Sequence, residues 1–225
     1  MLTRIIGATL AFSITAAAAL AAPTPKPATL SPKPQASEVA FVTHITQTLT
    51  ATYPTVADAE RAGYFRYTNE DNTGAISYAN LHWTSNDWNH PSQLWYDVHG
   101  NLLGADFSEP YVAGKPPSLW GVLPGRWIHI PEHVHYVLVG AHGPQGFEHG
   151  VEASAFTAAG GSLADPQVAT LVKMHKVKSA SQVARIFTFA NIWDLIVWVK
   201  RNPNGAFAEK NPLVHPSSTP AHDSM

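Results

Sequence analysis

The apolar positions of this chain follow two different periods. Between Ala36 and Thr50, Val39, Phe41, Val42, Ile45 and Leu49 recur near i, i+3, i+4 spacing, which predicts a helix with one apolar face. Tyr53 to Tyr64 carries the punctuation of a second, short helix. Thr55 suits its N-cap, Asp58 and Glu60 lie near the first turn where the helix dipole favours negative charge, and Gly63 suits its C-terminal stop.

Past Tyr64 the period drops to two. Tyr64, Arg66 and Thr68 alternate with Phe65 and Tyr67, and Ala75 to Tyr78 resumes after Glu70-Asp71-Asn72-Thr73-Gly74, the pattern of a hairpin. The acidic turn lacks the spacing and distal Glu of an EF-hand, so it reads as a turn and not as a calcium loop. Leu81 to Ser92 is irregular and holds His82, Trp83, Asp87, Trp88 and His90. Gln93–Val98 and Leu102–Phe107 are two β-prone runs joined by His99-Gly100-Asn101, a second hairpin. Glu109 to Gly125 is rich in Pro and Gly and reads as a long surface loop.

From Arg126 to Gly140 the β pattern returns, broken at Pro131. Proline cannot donate to a ladder, so two short strands or a bulged edge strand are expected. Ala141 to Gly161, with His142, Glu148 and His149, reads as a flap or a loose insertion. Asp165-Pro166 offers an N-cap and N1 pair, with Val168, Leu171, Val172 and His175 on one helix face. Ser179 to Gln182 resembles a capping box for a further short helix through Ile186. Phe187 to Lys200 reads as one strongly apolar strand. Ile192, Asp194, Ile196 and Trp198 point one way and Trp193, Leu195, Val197 and Val199 the other, as in a covered central strand. The expected fold is α+β: a mainly antiparallel central sheet with N-terminal helices and two short helices before the last strand.

The ends set the limits of that domain. Arg4, the apolar run Ile5–Leu20 and Ala19-Leu20-Ala21 predict a signal peptide over residues 1–21. A Pro-rich linker over 22–35 follows, then a globular domain over 36–213 and a polar Pro/Ser-rich tail over 214–225. The mature protein is expected to be exported, periplasmic or extracellular, with no membrane span after signal cleavage. Lys and Arg number 14 against 16 Asp and Glu, without a basic run, which argues against nucleic acid as a partner. Cysteine is absent, which excludes disulfides and thiolate metal sites. Seven Trp, nine Phe and seven Tyr supply the core instead. Histidine is the polar residue in excess, twelve in all, and it both ligates metals and transfers protons near neutral pH.

The richest window is Trp127 to Tyr136. His133 and His135, two apart on a strand, share a face and can reach one ion. A turn at Pro131 folding His129 back would complete a set of three. Glu132 would then either ligate the ion or serve as a general base on metal-bound water. Zinc or copper suits such nitrogen ligands, and an added carboxylate would admit iron or manganese; His82, His90, His142 or His149 is a candidate for a further ligand or support. The chain has no H-E-x-x-H and no G-x-S-x-G. Val139 and Gly140 stand where a cupin's glutamate would follow His133-Val134-His135. Two readings remain: a metal-binding protein or metal-dependent enzyme, and a non-catalytic domain whose aromatics line a small-molecule pocket or a homo-oligomer interface.

The closing segment Asn202-Pro-Asn-Gly-Ala-Phe-Ala-Glu-Lys-Asn-Pro212, after a Trp-rich strand, resembles the ending of a group of exported bacterial proteins of unknown function. Tyr53–Tyr64, Gly74–Tyr78 and Gln93–Pro110 are similar to earlier landmarks of that group in the same order, so the resemblance spans about residues 53–212. It implies one exported domain and assigns no activity. Members often carry a histidine in the last strand, and this chain has none between Asn191 and Arg201.

Overall fold

The computed structural model describes residues 33–83, 87–139 and 148–217. The signal segment, most of the linker, His142 and the end of the tail lie outside them. The fold is α+β, with a mainly antiparallel sheet and a few helices. In chain order the helices are α1 (Ala36–Thr52), α2 (Val56–Arg61), α3 (Ala153–Ala158) and α4 (Val168–Lys173). The strands are β1 (Phe65–Arg66), β2 (Ile76–Ala79), β3 (Gln93–Tyr96), β4 (Leu102–Pro110), β5 (Ile128–Ile130), β6 (His133–Leu138), β7 (Glu148–Glu152), β8 (Val183–Phe189) and β9 (Ile192–Trp198). They form a six-stranded sheet of order β1-β2-β3-β4-β9-β5 and a three-stranded sheet of order β7-β6-β8. Among the described residues no helix is long and apolar enough to cross a membrane.

Helix α1 buries Phe41, Ile45 and Leu49 against one face of the large sheet, on Tyr78, Leu94, Tyr96, Ala105, Phe107, Leu195 and Val197. Each such side chain contributes about 1.5–3 kcal/mol by leaving water. Val39, expected on that face, is half exposed. The same helix is also anchored by a polar contact. Glu38 is fully buried and accepts from Arg126 at 2.9 Å and 3.2 Å through its two oxygens, and the guanidinium lies 5.1 Å from the Phe207 ring centroid. This pair ties the loop before β5 to the first helix. Helix α2 begins as its sequence predicts: the Thr55 hydroxyl accepts from the Asp58 N–H at 3.3 Å while Asp58 accepts from the Thr55 N–H at 3.1 Å. Gly63 follows it at φ +91°, backbone that favours glycine.

A second core lies under the small sheet, where Val134, Tyr136 and Val151 meet Phe156 of α3 and Leu171 of α4. Several local expectations change here. The supposed flap after Ala141 contains β7 and α3. Helix α4 starts after Gln167, two residues beyond the expected Asp165-Pro166 start. Ser179 to Gln182 does close a capping box, but only one 3-10 turn follows and the chain turns extended at Val183. Antiparallel pairing of Val183–Phe189 with β6 decides the outcome over the local helix signal, because that strand has a partner on the sheet and a helix there would not.

The run Phe187–Lys200 is two strands in two sheets. Its break at Ala190-Asn191 sits opposite the break at Pro131-Glu132, since Ile130 pairs with Ile192 and His133 with Phe189. The segments 128–138 and 183–198 thus form one antiparallel ribbon, bent once, with each limb absorbed into a different sheet.

Candidate functional site

Residues on the inner side of that bend line a partly open cavity of about 510 Å³, a size suited to a small organic molecule. The large sheet supplies Gln93, Trp95, Asp106, Asp194, Ile196 and Trp198, and the ribbon's other limb supplies His133, His135 and Phe189. Strand alternation explains the membership. On β9, Leu195 and Val197 enter the helix-side core, so Ile192, Asp194, Ile196 and Trp198 face the cavity. Gly104 is required nearby: a Cβ there would lie 2.6 Å from the Val197 carbonyl oxygen and 2.9 Å from the Trp95 ring.

Two buried aspartates form the floor. Asp106 pairs in register with Ile196, and Ser108 with Asp194, so the two carboxyls are diagonal neighbours on one face. They hydrogen-bond to each other. Trp95 Nε1–H donates to Asp106 Oδ2 at 2.9 Å, and the Ser108 hydroxyl donates to Asp194 Oδ1 at 3.4 Å. Burial, reinforced by the neighbouring Asp194 charge, pushes Asp106 well above the usual carboxylate range. Burial likewise raises Asp194 to about 7, against the hydrogen bonds from Ser108 and Asp106 that lower it. Two carboxyls in contact in a dry site cannot both ionise, so the pair shares one proton near neutral pH, held by Asp106.

Opposite stand the histidines. His133 and His135 share the cavity face of β6, and their Nε2 atoms face each other in contact. The His133 Nδ1–H donates to the Pro131 carbonyl at 2.7 Å. Each ring lies against the phenylalanine opposite it in the ladder: His133 on Phe189 with centroids 4.9 Å apart, His135 on Phe187 at 5.5 Å. Burial, then the proximity of His133, lowers the His135 pKa well below the usual imidazole value, so its ring is neutral. Tyr67 links the two sides. Its ring centroid is 5.5 Å from that of His135, Gln93 hydrogen-bonds its hydroxyl, and burial followed by the Asp106 and Asp194 charges raises its pKa.

The structure brings two of the sequence-predicted residues together and leaves two apart. Ile128 and Ile130 of β5 line the cavity, so His129 between them projects from the other face. It stacks on Tyr111 with centroids 3.9 Å apart and shares a 2.6 Å hydrogen bond with Asn191 Oδ1. The chain does not fold His129 back at Pro131. It continues into the second sheet. Glu132 lies half-buried at the bend and is not part of the cavity wall. Among the described residues no group of three or more His, Asp or Glu is gathered as a metal would require. His90 pairs with Asp87 at 2.6 Å and stacks on Trp83, remote in the chain from the ribbon. Sequence reading missed Asp106 and Asp194 as site residues. The signal was present in Asp194, an acid spaced in phase with Ile192, Ile196 and Trp198 on a covered strand.

The chain matches no protein-family model, no curated protein and no solved structure.

Proposed function

We propose that this is an exported protein that binds a small organic molecule in the cavity between its two sheets and transfers a proton to or from it. The observation that carries this reading is the Asp106–Asp194 pair. It is a proton-sharing carboxyl couple held on rigid strands at the floor of a cavity with aromatic walls. A structural ion pair would bring a cation to such acids; here the nearest supports are the Trp95 and Ser108 donors. Proton transfer is most effective when the acid or base titrates near the working pH, and Asp194 does so at about 7. Asp194 is assigned the role of general base, and Asp106 the role of its proton-holding partner. Trp95, Trp198 and Phe189 give the apolar surface that excludes water and holds a planar ligand.

The test is a ligand-observed NMR screen of small heteroaromatic and carbonyl compounds in deuterated buffer. Ser77→Trp, at a half-buried cavity-lining position, closes the site. Expected are compounds whose binding is lost in Ser77→Trp and kept in Asp194→Asn, with solvent deuterium entering an acidic C–H of the bound compound only in wild type. Binding that Ser77→Trp leaves untouched sinks the pocket assignment. Pocket binding with no Asp194-dependent exchange reduces the protein to a binder.

A further inference from the structure

We propose that the same cavity holds a copper ion between Nε2 of His133 and Nε2 of His135. The inference rests on the cavity described above but not on its proton chemistry. Residues two apart on a strand share a face, yet their side chains ordinarily stand parallel. Here the rings converge until the two Nε2 atoms face each other, with centroids 4.3 Å apart and planes at 55°. The two rings share a hydrogen bond, His135 Nε2–H donating to His133 Nε2, whose proton a bound metal would replace, and they are also held from outside the pair. Phe189 and Phe187 back the two rings, and the Pro131 carbonyl takes the Nδ1–H of His133.

That last bond fixes the tautomer. With the proton on Nδ1, the Nε2 of His133 carries its lone pair into the cavity wall. A backbone carbonyl on the far nitrogen is the support that metal-ligating histidines commonly have. Proline at 131 serves twice: it ends the ladder, and its carbonyl, freed from strand pairing, is aimed at the ring.

The ligand set selects the metal. Cysteine is absent from the chain, and no third His, Asp or Glu joins the pair among the described residues. Zinc sites draw three or four ligands from the protein. Copper binds imidazole most tightly among the divalent first-row ions, and as the cuprous ion it accepts two opposed nitrogens alone. With metal–nitrogen bonds of about 2 Å, the Nε2 atoms must part to about 3–4 Å. His133, half-buried at the strand end, is the ring with room to move. The remaining coordination positions open into the cavity, beside Tyr67 and above the Asp106–Asp194 floor.

The experiment uses full-length mature protein purified without a His-tag. It is loaded anaerobically with Cu(I), or with Cu(II) or Zn(II) in air, passed over a desalting column and titrated with a chromogenic cuprous chelator. One retained equivalent of copper is expected in wild type, in His129→Ala and in Asp194→Asn. His133→Ala and His135→Asn are expected to bind at least tenfold more weakly, with X-ray absorption of the wild type showing imidazole nitrogens. Circular dichroism melts confirm that each variant folds, and His133→Ala, at the more exposed position, keeps the test valid if His135→Asn does not. No stoichiometric copper in wild type, equal retention in folded His133→Ala, equal loss in His129→Ala, or preference for zinc overturns the proposal. Because no substrate enters the measurement, its failure is separable from failure of the proton-transfer reading, which stands or falls with deuterium exchange.

Discussion

Replacing Asp194 by asparagine keeps the side-chain shape and removes its titration. In the wild type this carboxyl titrates at about 7 in the folded protein against an ordinary 3.8. Between those values the folded state holds a proton that the unfolded chain has released. The stabilisation this proton represents is complete below the unfolded value and is lost as the pH rises through the folded one. The whole difference corresponds to about 4 kcal/mol, and the part lost between pH 5 and pH 7 to about 2 kcal/mol. His135 works in the opposite sense. Buried and held neutral, it costs stability as the pH falls below its unfolded value, where the unfolded chain takes up a proton that the folded state refuses. That contribution is common to both proteins and cancels in their difference. The assay is urea unfolding of metal-free wild type and Asp194→Asn at pH 5, 6, 7 and 8. The variant is expected to gain at least about 2 kcal/mol on wild type between pH 5 and pH 7, equivalent to roughly 4–8 °C or more in Tm for a domain of this size, since Asp106, no longer raised by the Asp194 charge, also gives up less stability there. Two unfolding-energy curves that stay parallel across this range refute the shared-proton assignment.

Glu38→Gln leaves the Arg126 guanidinium buried without its counter-charge and is expected to cost about 3–5 kcal/mol, read as a fall in urea midpoint at pH 7. Gly104→Ala drives a methyl into the Val197 carbonyl and the Trp95 ring. A loss of about 1–3 kcal/mol is expected, together with a shift in tryptophan fluorescence that Gly125→Ala, where a Cβ meets nothing within 4 Å, does not produce. Trp95→Phe removes the indole donor to Asp106. The aspartate pair should then titrate at higher pH, since the bond that favours the ionised form is gone, and the pH window of stability loss should move up with it. Carboxyl infrared difference spectra check the direction.

The amphipathic period of α1, the Thr55–Asp58 cap, Gly63 and both N-terminal hairpins were legible because each depends on residues close in sequence: a helical face, a cap three residues long, a turn with glycine at positive φ. The break at Pro131 was legible for the same reason, since proline removes a ladder donor wherever it stands. That His133 and His135 share a face also followed from strand alternation alone. What local patterns could not carry is which limb joins which sheet. Val183–Phe189 has a helix cap before it and becomes a strand because β6 offers it a hydrogen-bonding partner. Phe187–Lys200 reads as one covered strand and divides at Asn191 because its partner bends opposite it. That bend decides the site. It sends His129 to the outer face with Tyr111 and brings Asp106 and Asp194, 88 residues apart in the chain, to the floor beneath His133 and His135. The sequence by itself determined α1, α2, the turns of the N-terminal hairpins and the faces of β6 and β9, whose causes are local. The tertiary structure alone decided which buried acids meet, because contact between distant strands depends on register and not on period.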